Sequence, residues 1–188
     1  MNRVFSKSVR MLILTLMSIV VVSVSAITYY SVIMEPTVSI SQAVISFVQG
    51  DDWTTGSSMG TNNTYVSLDI TAYPNATLTY EELVNISNTD ASGHDVRLSH
   101  VSITPNGTPS VANFTFINFT LIQPDGNPVT GSDFDYTTSG NSWNTPSAMG
   151  YQILAASTQW AVKVETQAAA GASDGISCTI VIAVDVQV

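Results

Sequence analysis

ISCTIVIAVDVQV, from Ile176 to Val188, alternates strictly. Ile176, Cys178, Ile180, Ile182, Val184, Val186 and Val188 share one parity, and Ser177, Thr179, Val181, Ala183, Asp185 and Gln187 share the other. Successive side chains of a strand point to opposite faces, so this stretch presents one wholly apolar face. Shorter runs repeat the pattern. Trp160, Val162 and Val164 alternate with Ala161, Lys163 and Glu165; Val66, Leu68 and Ile70 with Ser67, Asp69 and Thr71; Val96 and Leu98 with Arg97 and Ser99. Breakers separate them: Gly50-Asp51-Asp52, Pro74-Asn75, Ser92-Gly93, Pro105-Asn106-Gly107, Pro124 to Gly126, and Gly140-Asn141. Strands with one apolar face must bury it against a second layer. The expected fold is therefore all-β, a sandwich or jelly roll, over residues 37–188. Helix signals are weak: Ala168–Ala172 is short, and Ser147–Ala156 has room for a helical turn.

Composition agrees. Charged residues make up 10% of the 188 residues and hydrophobic ones 45%, which suits pleated sheet and argues against disorder. Of the five Lys/Arg residues, Arg3, Lys7 and Arg10 precede the first apolar run, leaving Arg97 and Lys163 against all fourteen Asp and Glu. Such a surface repels nucleic acid, whose binding needs clustered cations, and anionic lipid. Cys178 is the single cysteine, so it has no intramolecular partner and no second thiol for zinc. It reads as a small core residue, with an intermolecular disulfide as the alternative.

The first residues read as an export signal. A basic start, an apolar run from Met11 to Val24 and the small residues Val24-Ser25-Ala26 fit a secretory signal peptide over residues 1–26, cleaved after Ala26. The uncharged stretch from Met11 to Met34 is also long enough to remain as a membrane anchor. A pilin-like leader cut before Met11 is a third reading, without the expected junction. The first two readings both place the rest of the chain outside, with membrane contact only through an uncleaved leader.

Six Asn-x-Ser/Thr sequons support export: Asn62, Asn75, Asn85, Asn106, Asn113 and Asn118, all before Thr120. Their clustering suggests glycans on one region of the surface. For Asn113 and Asn118 both to face solvent on one strand, an extra residue is needed near Ile117.

Ile27-Thr-Tyr-Tyr-Ser-Val-Ile-Met34 is apolar, uncharged and β-prone. Tyr30, Val32 and Met34 share one face; Tyr29, Ser31 and Ile33 share the other, with Ile27. Glu35-Pro36 ends the run, so residues 27–36 read as an extended strand and connector. At ~3.3 Å per residue the strand spans about 26 Å. An exposed strand of this kind must find a sheet edge, in its own domain or in a neighbour.

The layout resembles the camelysin/TasA family and in particular its archaeal relatives, the bundling-pilus and thread-forming subunits. The matching residues are the leader, Val38-Ser-Ile-Ser with Phe47-Val-Gln-Gly50, Asn75-Ala-Thr-Leu-Thr-Tyr80 leading to Leu83-Val-Asn-Ile-Ser-Asn88-Thr-Asp90, and the closing Ile176–Val188. The resemblance implies a secreted jelly roll that polymerises head to tail by donating its N-terminal strand to an identical subunit, with lateral bundling of the filaments. The chain lacks the Lys-rich character of the bacterial matrix proteins, which favours the archaeal branch. Some camelysins have been called metalloproteases, but no His-Glu-x-x-His occurs here.

Catalytic chemistry has little support. His94 and His100 are the only histidines, and no Gly-x-Ser-x-Gly elbow is present. Neither Asp51-Asp52 nor Asp133-x-Asp135 matches the calcium-loop pattern, so both read as turn formers. The aromatic residues serve a sandwich core before a sugar platform. No cofactor or metal is expected. Three classes remain: a filament subunit, a monomeric or anchored surface glycoprotein, and, behind these, an exported hydrolase.

Overall fold

A computed structural model describes residues 43–107 and 110–187. The leader, the Ile27–Met34 segment, the domain boundary at residue 37, Thr108 and Val188 lie outside these residues.

Among the described residues the strands are β1 (Ile45–Gln49), β2 (Ser58–Met59), β3 (Tyr65–Ala72), β4 (Leu78–Asn88), β5 (His94–Pro105), β6 (Phe114–Ile122), β7 (Phe134–Ser139), β8 (Ser142–Asn144), β9 (Gln152–Leu154), β10 (Gln159–Ala168) and β11 (Ile176–Gln187). Single 3₁₀ turns at Thr61–Asn63 and Val111–Asn113 precede β3 and β6. The strands form two antiparallel sheets. One is six-stranded, in the order β1-β4-β10-β6-β7-β8; the other is five-stranded, β2-β3-β11-β5-β9. The fold is an all-β sandwich.

The alternation in the sequence is the alternation of burial. In β11 every second residue from Ile176 to Val184 is buried, and Cys178, Ile180 and Ile182 are wholly inaccessible. Trp160, Val162 and Val164 face in from β10, Val66, Leu68 and Ile70 from β3, and Val96 and Leu98 from β5. Aromatic rings close one end of the core. Phe119, Phe134 and Tyr136 lie 5.7–6.1 Å apart in edge or tilted pairs, each contributing about 0.5–1.5 kcal/mol beyond area burial.

Three register shifts interrupt the ladders. Between β10 and β6 the pairing passes from Gln167–Phe116 to Ala168–Phe114, so Thr115 is the extra residue. The expected bulge therefore exists, two residues before Ile117, and Asn113 sits in the 3₁₀ turn rather than on the strand. Between β10 and β4 the pairing jumps from Val162–Val84 to Val164–Tyr80. β4 thus has two residues more than β10 between these pairs, and in this irregular stretch both Leu83 and Val84 are buried. Between β11 and β5 Val101 is left over, 55% exposed.

One expectation is corrected. Ser147–Ala156 holds no helical turn; Gln152–Leu154 is extended as β9 and pairs with His94–Val96. A single turn of helix is costly to nucleate, and the ladder with β5 outweighs it.

Candidate strand-accepting edge

Each sheet ends on strands shorter than those they border. The three-residue β9 lies beside the twelve-residue β5, and the two-residue β2 beside the eight-residue β3. On the other sheet, the five-residue β1 borders the eleven-residue β4 and the three-residue β8 borders the six-residue β7. An uncovered ladder of N–H and C=O groups is a template for another strand.

Side chains close two of these ladders. Beyond β1, the Glu81 and Glu82 N–H groups both donate to Asp52 Oδ2, at 2.7 and 3.2 Å, and the Asp52 N–H donates to the Glu82 carbonyl at 3.1 Å. Gly50 lies so close that a Cβ there would meet the same carbonyl at 1.9 Å. Beyond β2, the Asp69 N–H donates to Ser57 Oγ at 2.9 Å, Thr54 Oγ1 donates to the Asp69 carbonyl at 2.8 Å, and the Thr71 N–H donates to the Tyr80 hydroxyl at 3.2 Å.

β5 is different. β9 covers it only from His94 to Val96. From Arg97 to Pro105, among the described residues, its outer edge pairs with no strand and receives no side-chain cap. Its other edge is fully engaged by β11. Polar groups ring this stretch. On the outer face Asp185 accepts from Arg97 Nε at 3.0 Å and from Ser99 Oγ at 3.1 Å. The Arg97 guanidinium sits 4.5 Å over the Tyr151 ring, just before β9. On the inner face His100 Nδ1 lies 2.9 Å from the Tyr136 hydroxyl of β7. Burial lowers the His100 pKa and raises that of Tyr136. Past Tyr136, Trp143 of β8 lies edge-on to Tyr136 at 6.3 Å and tilted against Phe114 at 5.3 Å. Its indole Nε1 is buried without a hydrogen-bond partner.

The remaining site residues fall as follows. Ile27, Tyr29, Tyr30, Val32, Ile33 and Met34 lie outside the described residues. Asn62 and Asn75 are exposed, both in the left-handed backbone region. Asn85 is only 4% exposed, and its Nδ2, the atom a glycan would occupy, donates to Glu82 Oε1 at 2.5 Å. Its sequon is thus closed in the folded domain: the side chain lies on an interior strand, in a groove under Gln123, Pro124 and Gly126. Asn106 Nδ2 is likewise engaged, by Asp69 at 2.8 Å and Ser177 at 3.1 Å. Asn113 and Asn118 are half-buried. Asn85 and Asn118 belong to the six-stranded sheet and Asn106 follows β5 of the other, so the six sequons do not share one face.

The histidines stay apart from one another in function. His94 Nε2 meets Asp90 Oδ2 at 2.7 Å, and that contact, with the Ala91 N–H, holds the Asp90 carboxyl below its ordinary range. Among the described residues no group of three or more His, Cys, Asp or Glu is placed to hold a metal. Among the described residues both Lys/Arg side chains are engaged: Arg97 with Asp185, and Lys163 Nζ with Glu165 at 3.3 Å and Glu81 at 3.6 Å. Asp52, Trp143 and the caps on β3 were not legible as site residues, because their partners lie far along the chain; Glu82 is 30 positions from Asp52.

Compared with known proteins, the chain matches no family model and no curated sequence.

Proposed function

We propose that this protein is a structural subunit of an extracellular filament, a pilus or thread, that polymerises by strand donation. The leader is removed on export, and Ile27–Met34 of one subunit adds to a sheet of the next. Head-to-tail repetition of a heterologous contact that does not close produces a fibre. The observation that carries the reading is the pairing of long inner strands with much shorter edge strands, which among the described residues leaves β5 unpaired from Arg97 to Pro105, a length of about 30 Å. The donor spans about 26 Å on the same rise per residue. In this reading the sandwich is a jelly roll completed by its neighbour, the partners are identical subunits, and the site performs assembly without catalysis.

Burial of two or three of Tyr30, Val32 and Met34, or of the opposite face, contributes on the order of 5 kcal/mol before ordering costs. Val32→Asp should therefore abolish filaments seen by electron microscopy while circular dichroism still reports a folded β domain. Normal filaments from that variant would refute strand donation and favour a surface glycoprotein that acts as a monomer.

A further inference from the structure

We infer that the neighbour's strand enters beside β5, along Arg97–Pro105, and completes the five-stranded sheet above the indole of Trp143. This inference rests on the strand-donation reading and specifies its acceptor.

The β4 edge beyond β1 is closed by Asp52, and the β3 edge beyond β2 by Ser57, Thr54 and Tyr80. What β8 leaves of β7 is Phe134–Tyr136. The outermost strands are themselves short: five residues in β1, two in β2, three in β8 and three in β9. Among the described residues, the ladder that matches a β-prone segment the length of Ile27–Met34 is the one along β5.

The opposite sheet supports the same place. The His100–Tyr136 contact sets β5 across from β7. β8 follows β7 in its sheet, so a strand added outside β5 comes to lie across from β8. The inward side chain there is Trp143, held by Phe114 and Tyr136 and carrying a buried N–H without an acceptor. A buried donor left unpaired costs about 1–3 kcal/mol. The Arg97–Tyr151 stack marks the end of the slot next to β9.

Cysteine cross-linking in assembled full-length chains tests the assignment. Ser31→Cys or Val32→Cys, one on each donor face, is combined in turn with Ser99→Cys, Ser102→Cys or Thr104→Cys on β5, and with Val48→Cys on β1 as the rival edge. Cys178 is buried and does not interfere. After mild oxidation, covalent ladders on a denaturing gel are expected from at least one β5 pair and from no Val48→Cys pair. Filaments that form normally but cross-link only through Val48→Cys, or through none of the β5 positions, overturn the β5 assignment and leave strand donation standing. Absence of filaments from the unsubstituted chain overturns both.

Discussion

His100 Nδ1 and the Tyr136 hydroxyl, 2.9 Å apart, join the five-stranded sheet to the six-stranded one through the interior. Burial lowers the His100 pKa, so the folded protein keeps the ring neutral where an unfolded chain would take up a proton. The unfolded state then binds more protons as the pH falls through about 6.5, and stability declines. Chemical denaturation at pH 7 and pH 5.5 should show lower stability at the acidic value. His100→Asn should flatten this dependence. Asp90, whose pKa is held down, loses its contribution only at more acidic pH and does not confuse the reading. Tyr136→Phe should cost about 1 kcal/mol at neutral pH by leaving His100 without its partner.

Asp52→Ala removes the acceptor of two β4 N–H groups. The expected loss is about 1–2 kcal/mol, a fall in melting temperature of about 5 °C. The exposed ladder should also raise light scattering near the melting point. Asp52→Asn, which retains a side-chain carbonyl, should recover part of both.

Export and modification are checked together by peptide mass mapping of protein recovered from outside the cells. The first residue should be Ile27. Glycan masses should appear on peptides carrying Asn62 and Asn75 and be absent from those carrying Asn85 and Asn106, whose Nδ2 atoms are engaged within the fold. A glycan at Asn85 would mean that β4 packs differently around that residue.

Cys178 is inaccessible, and burial pushes its thiol pKa up. The native protein should leave an aromatic disulfide reagent unreacted over an hour and consume one equivalent on denaturation. Fast reaction in the native state would place this part of β11 outside the core.

The period-two runs were enough to locate the sandwich and most of its core: the buried positions of β3, β10 and β11 are those whose parity is apolar in the sequence. An extra residue in β6 was expected near Ile117 if Asn113 and Asn118 both face solvent; its place at Thr115 depends on pairing with β10, and Asn113 lies in the turn before the strand. The fate of the sequons was not legible. Asn85 and Asn118 carry the same triplet chemistry, and only the loop from Gln123 to Gly126 and the reach of Glu82 separate them. Nor did local pattern distinguish open edges from closed ones. Asp52 reads as a turn residue beside Gly50, and its second role appears only when β4 passes by. Sequence alternation encodes which face is apolar; which edge is free depends on contacts between residues far apart in the chain.

The ion pairs of Arg97 and Lys163 have a colloidal consequence. Both cations beyond the leader are already neutralised by their own domain, so the acidic surplus meets solvent uncompensated. A fibre assembled as proposed would be a polyanion wrapped in counterions. Two fibres side by side repel over a distance of about 10 Å at 0.1 M salt and about 3 Å at 1 M. The medium therefore governs whether they lie apart or gather into cables, and brine draws together what dilute buffer disperses.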